Sequence, residues 1–106
     1  VCSAGILRSA TAAHILSAEP YNFNTRNCGV DEDFALIPVD EVLVAWADVI
    51  ICMEQEHFKE LTENFDLLGK VVHVLDVPDR YPYRDSRLIS ILDEQLKVIF
   101  SDKISA

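Results

Sequence analysis

The chain has 106 residues, half of them hydrophobic, and a formal net charge of −9. That length suits one domain spanning residues 1–106 with a real core, and the charge argues against a nucleic-acid partner. No apolar run is long enough to span a membrane, and the opening residues lack the charged-then-apolar order of a signal peptide. The first nine residues, Val1-Cys2-Ser3-Ala4-Gly5-Ile6-Leu7-Arg8-Ser9, read as a loop. Residues 9–16 read as a helix: Ala10, Ala12 and Ala13 are strong helix formers, with Ile15 and Leu16 as an apolar edge. Glu19-Pro20 stops it. Residues 21–27 alternate apolar and polar at their start and read as a short edge strand closed by Gly29. Asp31-Glu32-Asp33 reads as a solvated acidic turn. Pro38 and Asp40 mark a helix start, with Val39, Val42, Leu43 and Trp46 at helical spacing and Trp46 expected in the core.

Residues 49–53 form a continuous apolar run with β-branched side chains, the pattern of a strand covered on both faces. Residues 54–65 read as a helix with Phe58, Leu61 and Phe65 on one side, and Gly69 ends the next segment. Residues 71–75 read as a second buried strand, residues 76–85 as a loop rich in Pro, Asp, Arg and Tyr, and residues 86–102 as a closing amphipathic helix. Leu88, Ile89, Leu92, Leu96 and Ile99 are its expected inward face. Strands alternating with helices predict an α/β fold, with a parallel sheet covered by helices on both faces. Ligands of such folds bind beyond the carboxyl ends of the strands, so the Cys2–Arg8 loop and the 76–85 loop should open on the same edge.

Cys2 stands where a loop feeds a helix N-terminus. Unpaired backbone N–H groups and the helix dipole converge there, which suits an anion and favours the thiolate form of a cysteine. Arg8 adds a planar fork of donors matched to two phosphate oxygens. Together they predict a phosphoryl-cysteine site. A phosphate monoester also needs a proton for its leaving oxygen, and the second loop offers Asp76, Asp79 and Asp85. Asp79, well out in the loop, is the expected general acid, Asp76 is the next candidate, and Asp85 is expected to cap the last helix. Cys2, Cys28 and Cys52 fit neither a zinc site nor a disulfide framework, which points to a reducing cytoplasm. Cys52 is expected to be buried in its strand; Cys28 is open between buried and half-exposed. His14, His57 and His73 are not paired at metal spacing and are expected to be structural.

At these residues the chain resembles the low-molecular-weight protein tyrosine phosphatases, above all a short bacterial branch with a similar Pro-Asp-x-Tyr segment. Cys2, Arg8 and Ser9 match that family's Cys-x5-Arg-Ser loop. Asp79-Arg80-Tyr81 matches its late acid segment, and Ala47-Asp48-Val49-Ile50-Ile51-Cys52-Met53-Glu54 is similar to its third strand and the residues just after it. The resemblance implies a three-layer sandwich on a four-stranded parallel sheet of flavodoxin-like order 2-1-3-4. A phosphate loop needs a strand to launch it, so the first strand is expected to lie mostly ahead of Val1 in a longer natural chain. The implied chemistry is in-line attack by the Cys2 thiolate. Arg8 and the amides of Ser3, Ala4, Gly5, Ile6 and Leu7 would hold the equatorial oxygens, and Ser9 would donate to the sulfur. Asp79 acts first as acid and then as base, with no metal or organic cofactor. Tyr81, with Tyr83, is expected either to wall a cleft for a phosphotyrosine protein or aryl phosphate, or to pack the loop. Three positions depart from the family: Gly5 replaces an Asn that braces the loop, Ala10 replaces a Pro, and Leu7 stands where many members carry a second cysteine. Gly5 is expected to take a positive φ.

Three rival readings remain. A phosphocarrier of the sugar phosphotransferase IIB type shares the start of the loop but needs neither Arg8 nor a late acid. An arsenate reductase needs a cysteine shuttle whose paired spacing Cys28 and Cys52 do not supply. An inactive phosphoryl-binding module would bind phosphate with negligible turnover.

Overall fold

The computed structural model describes residues 1–3, 7–31, 33, 35 and 37–101. Its elements run α1 (Arg8–Ser17), α2 (Glu41–Trp46), β1 (Val49–Cys52), α3 (Gln55–Asn64), β2 (Val71–Val74) and α4 (Ser86–Ile99), a mixed α/β fold. Among the described residues the regular sheet is two-stranded: β1 lies parallel to β2, with Val49 opposite Val71 and Cys52 opposite Val74. Among the described residues two of the four expected strands are thus present as regular strands.

Backbone pairing nevertheless continues past β1 and β2. Leu75 and Val77 donate their N–H groups to the Cys52 and Met53 carbonyls at 2.8 and 3.0 Å. On the other edge of β1, the Val1 amino group donates to Ile51 O at 2.7 Å, and Val1 O accepts from Met53 N–H at 3.0 Å. Cys2 then bridges Gly29, and Gly29 bridges Pro38, each in the parallel sense. The Gly29–Pro38 bridge is carried by the residues flanking Pro38: Gly29 N–H donates to Ile37 O at 3.0 Å and Val39 N–H donates to Gly29 O at 2.9 Å, so the N–H that proline lacks is not called on.

Side chains leave the two strands alternately, as extended backbone requires. Ile50, Cys52, Val72 and Val74 pack with Val44 of α2 and Phe58 and Leu61 of α3. Ile51, Met53 and Leu75 pack on the opposite side with Ala12 and Leu16 of α1 and Leu88, Leu92 and Leu96 of α4. β1 is buried at Ile50 and Cys52, but β2 is not the buried strand expected: Val71 is exposed and Val72, His73 and Val74 are half-buried, because among the described residues β2 is an edge strand paired only with β1.

Local signals fix the helix starts. Asp40 accepts the Leu43 N–H at 2.8 Å ahead of α2, and Asp85 accepts the Arg87 N–H at 2.9 Å ahead of α4, the capping expected of it. Lys70 Nζ closes the far end of α2 by donating to the Ala45 and Ala47 carbonyls at 2.9 and 2.6 Å. Gly69 has φ +82° in the turn before β2, a left-handed conformation that suits glycine.

Several expectations are corrected. Residues 21–27 form no strand: Asn22 has φ +54°, which breaks the extended path. Tyr21 and Phe23 instead meet Phe100 past the end of α4, with ring centroids 5.9 and 5.1 Å from it. Trp46 is 45% exposed and lies under the Arg26 guanidinium rather than in the core. In a helix of only six residues starting from Asp40, Val44 is the residue turned to the sheet, and Val42 is exposed. In α4, Ile91 rather than Ile89 joins Leu88, Leu92, Leu96 and Ile99 at the core. The helix ends at Ile99, and Asp102 lies outside the described residues. Asp31 accepts the Asp33 N–H at 3.1 Å in the acidic turn. Among the described residues no helix is long and apolar enough to cross a membrane.

Candidate functional site

The pairing of Val1 and Cys2 puts Cys2 level with the carboxyl end of β1, beside Met53 and Glu54. The rungs from Leu75 and Val77 bring the 76–85 loop to the same edge. Cys2 and Ser9 are both buried, and Cys2 Sγ lies 3.2 Å from Ser9 Oγ in a hydrogen bond. Ser9 belongs to the first turn of α1, so the sulfur faces the amino end of that helix.

Arg8 opens α1 and is only 2% exposed. Its Nη1 donates to the Val77 carbonyl at 2.9 Å and pairs with Glu54 Oε1 at 3.0 Å. Its Nη2 faces Asp79 Oδ2 at 3.8 Å. A buried guanidinium without counter-charges would be costly, and the two carboxylates supply them. Asp79 is the outer member, with 60% of its side chain exposed. Asp76 is exposed, and its backbone N–H and carbonyl are both held at 2.9 Å by the Gln95 side chain.

A second cluster lies behind Cys2. The Glu54 N–H donates to His57 Nδ1 at 3.0 Å across the first turn of α3. Nδ1 is therefore an acceptor and the ring proton sits on Nε2, which donates to Ser3 Oγ at 3.2 Å. Burial, then the Arg8 charge and the amino group of Val1, push the His57 pKa down to about 4; Asp79 opposes them. His57 is thus neutral near pH 7. The Cys28 thiol is raised by burial, and that of Cys52 is pushed up to about 11 by the same cause, so both are held as inert thiols.

The structure thus pairs Cys2 with Ser9 and Arg8 with Asp79, and holds Asp76 against Gln95 of α4. Ser3 is turned to His57, and the Leu7 carbonyl takes the Thr11 N–H at 3.0 Å and the Thr11 hydroxyl at 2.7 Å. Ala4, Gly5 and Ile6 lie outside the described residues, and so does the positive φ expected at Gly5. Tyr81 packs against the core with the Arg87 guanidinium 5.1 Å from its ring centre, while Tyr83 is exposed beside Arg84. Among the described residues no group of three or more His, Cys, Asp or Glu side chains is placed to hold a metal ion.

Sequence reasoning missed Glu54 as the partner of Arg8 and His57 as the partner of Ser3. Glu54 and His57 stand at the N-cap and N3 positions of α3, a helix-start spacing that could have pointed to the cap but not to the contacts with Arg8 and Ser3. His14, by contrast, is exposed and accepts from Arg84, and His73 stands edge-on to Phe100. Comparison of the chain with protein-family models, with curated proteins and with solved structures returns no match.

Proposed function

We propose that this chain is a cysteine-dependent phosphomonoester hydrolase acting through a phosphocysteine intermediate, with phosphotyrosine proteins or small aryl phosphates as substrates. The observation that carries the reading is the meeting of two distant loops: Cys2 Sγ bonded to Ser9 Oγ at 3.2 Å, and Arg8 3.8 Å from the exposed carboxylate of Asp79. In this reading the Cys2 thiolate attacks phosphorus while the Arg8 fork and the loop amides hold the three equatorial oxygens. The P–O ester bond breaks, and the leaving oxygen takes the Asp79 proton. Water then attacks the phosphocysteine and gives a proton to Asp79. The P–S bond breaks to return the thiolate, which the Ser9 hydroxyl stabilises, and inorganic phosphate leaves.

The finer fold reading belongs to the same proposal. The isolated parallel bridge of Cys2 with Gly29 and the Val1 rungs to Ile51 and Met53 support a four-stranded order 2-1-3-4. A cytoplasmic location fits three buried cysteine thiols. Steady-state hydrolysis of p-nitrophenyl phosphate tests the activity. Turnover should be abolished in Cys2→Ser, and a stable phosphorylated Cys2 that passes its phosphate on without release to water would establish the carrier reading instead. Phosphate binding with no turnover would leave the binding-module reading standing.

A further inference from the structure

Thr11 has no part in the chemistry above, yet its hydroxyl touches both loops. It is fully buried, donates to the Leu7 carbonyl at 2.7 Å and accepts the Arg84 N–H at 3.1 Å, 73 residues away in the sequence. Donation to a carbonyl four residues back is ordinary for a helical threonine. Acceptance from a distant loop is not. Arg84 has φ +58°, the left-handed region that disfavours a residue with a Cβ, so the surroundings must hold it there. Its guanidinium is spread between Tyr83 and His14, and its N–H enters the buried hydroxyl. Upstream, the same loop is pinned at Val77, whose N–H is held by Met53 O and whose carbonyl takes Arg8. Asp79 therefore rides on a span anchored at Val77 and again at Arg84.

We propose that Thr11 is a positioning residue: its hydroxyl latches the Asp79 loop to the Cys2–Arg8 loop and so keeps Asp79 beside Arg8, from where it protonates the leaving oxygen. The inference rests on the hydrolase reading for what Asp79 does, but not for the latch itself. Thr11→Val keeps the side-chain shape and leaves the Arg84 N–H without its acceptor, whereas Thr11→Ser keeps the hydroxyl. Two readouts apply: hydrogen exchange at the Arg84 amide by NMR, and kcat/KM across aryl phosphates of rising leaving-group basicity. In Thr11→Val the Arg84 amide should exchange about tenfold faster or more. Phenyl phosphate hydrolysis should fall about 10- to 100-fold, and 2,4-dinitrophenyl phosphate, whose leaving group needs no proton, by less than about threefold. Thr11→Ser should restore both readouts.

Equal losses on the two esters in a folded Thr11→Val protein overturn the proposal, as does an Arg84 amide no faster than wild type. Should Thr11→Val fail to fold, fast exchange at Arg84 in the wild type or in Thr11→Ser overturns it, and slow exchange in both supports it. If the wild type hydrolyses neither ester, the hydrolase reading falls, and Arg84 exchange alone decides whether the latch exists.

Discussion

Lowering the pH should destabilise this protein through His57, by an amount the structure sets. The imidazole is 2% exposed, its Nδ1 is occupied by the Glu54 N–H, and Arg8 and the Val1 amino group oppose a further positive charge. Its pKa is about 4 in the folded chain against 6.5 ordinarily. The unfolded chain therefore takes up a proton that the folded one refuses between those values, and stability rises with pH across that window. The contribution is complete above about pH 6.5 and is lost as pH falls toward 4; at 1.36 kcal/mol per pH unit it amounts to about 3 kcal/mol. His57→Gln removes the titration and, through the lost cap and Ser3 contacts, costs about 1–2 kcal/mol at neutral pH. Urea unfolding followed by circular dichroism at pH 7.5, 6, 5 and 4 should show the wild type more stable at 7.5, the curves crossing near pH 5, and the variant ahead at pH 4. Parallel decline of the two proteins from pH 7.5 to 4 would refute the reasoning.

Four further outcomes are expected. Asp79→Ala should lower kcat/KM for phenyl phosphate about 100-fold or more while inhibition by inorganic phosphate changes by less than about threefold, and Asp76→Ala should leave both unchanged; a normal rate in Asp79→Ala with loss in Asp76→Ala would move the acid to Asp76. Ser9→Ala should slow iodoacetamide alkylation of Cys2 at neutral pH by about tenfold, read by mass spectrometry of the Cys2 peptide, because the sulfur loses its hydroxyl partner. Leu92→Ala, at a fully buried position of α4, should cost about 2–5 kcal/mol in urea unfolding. Gly69→Ala should cost about 1 kcal/mol in the same assay; an unchanged value would show that the left-handed turn tolerates a Cβ.

Elements that depend on neighbours a few residues away were legible in the sequence. The two apolar runs became β1 and β2, the spacings of α3 and α4 found their buried faces, and Asp40 and Asp85 capped the helices they precede. Each has a short-range cause, either backbone periodicity or one side chain meeting an N–H two or three residues on. Apolar alternation at Tyr21 and Phe23 misled because two spaced rings serve a strand face or an aromatic cluster equally well, and Phe100 decided between them. Trp46 misled because the short α2 leaves its indole beyond the sheet, where Arg26 covers it. Cys2-x5-Arg8-Ser9 put a thiol, a cation and the hydroxyl that meets the sulfur within one stretch of chain. Their surroundings were settled only when distant segments met at the carboxyl end of β1: Glu54 and Asp79 on Arg8, His57 on Ser3, and Arg84 on Thr11. Residue spacing carries no record of such encounters, because a buried charge or hydroxyl takes its partner from whichever strand end or loop the packed sheet delivers beside it.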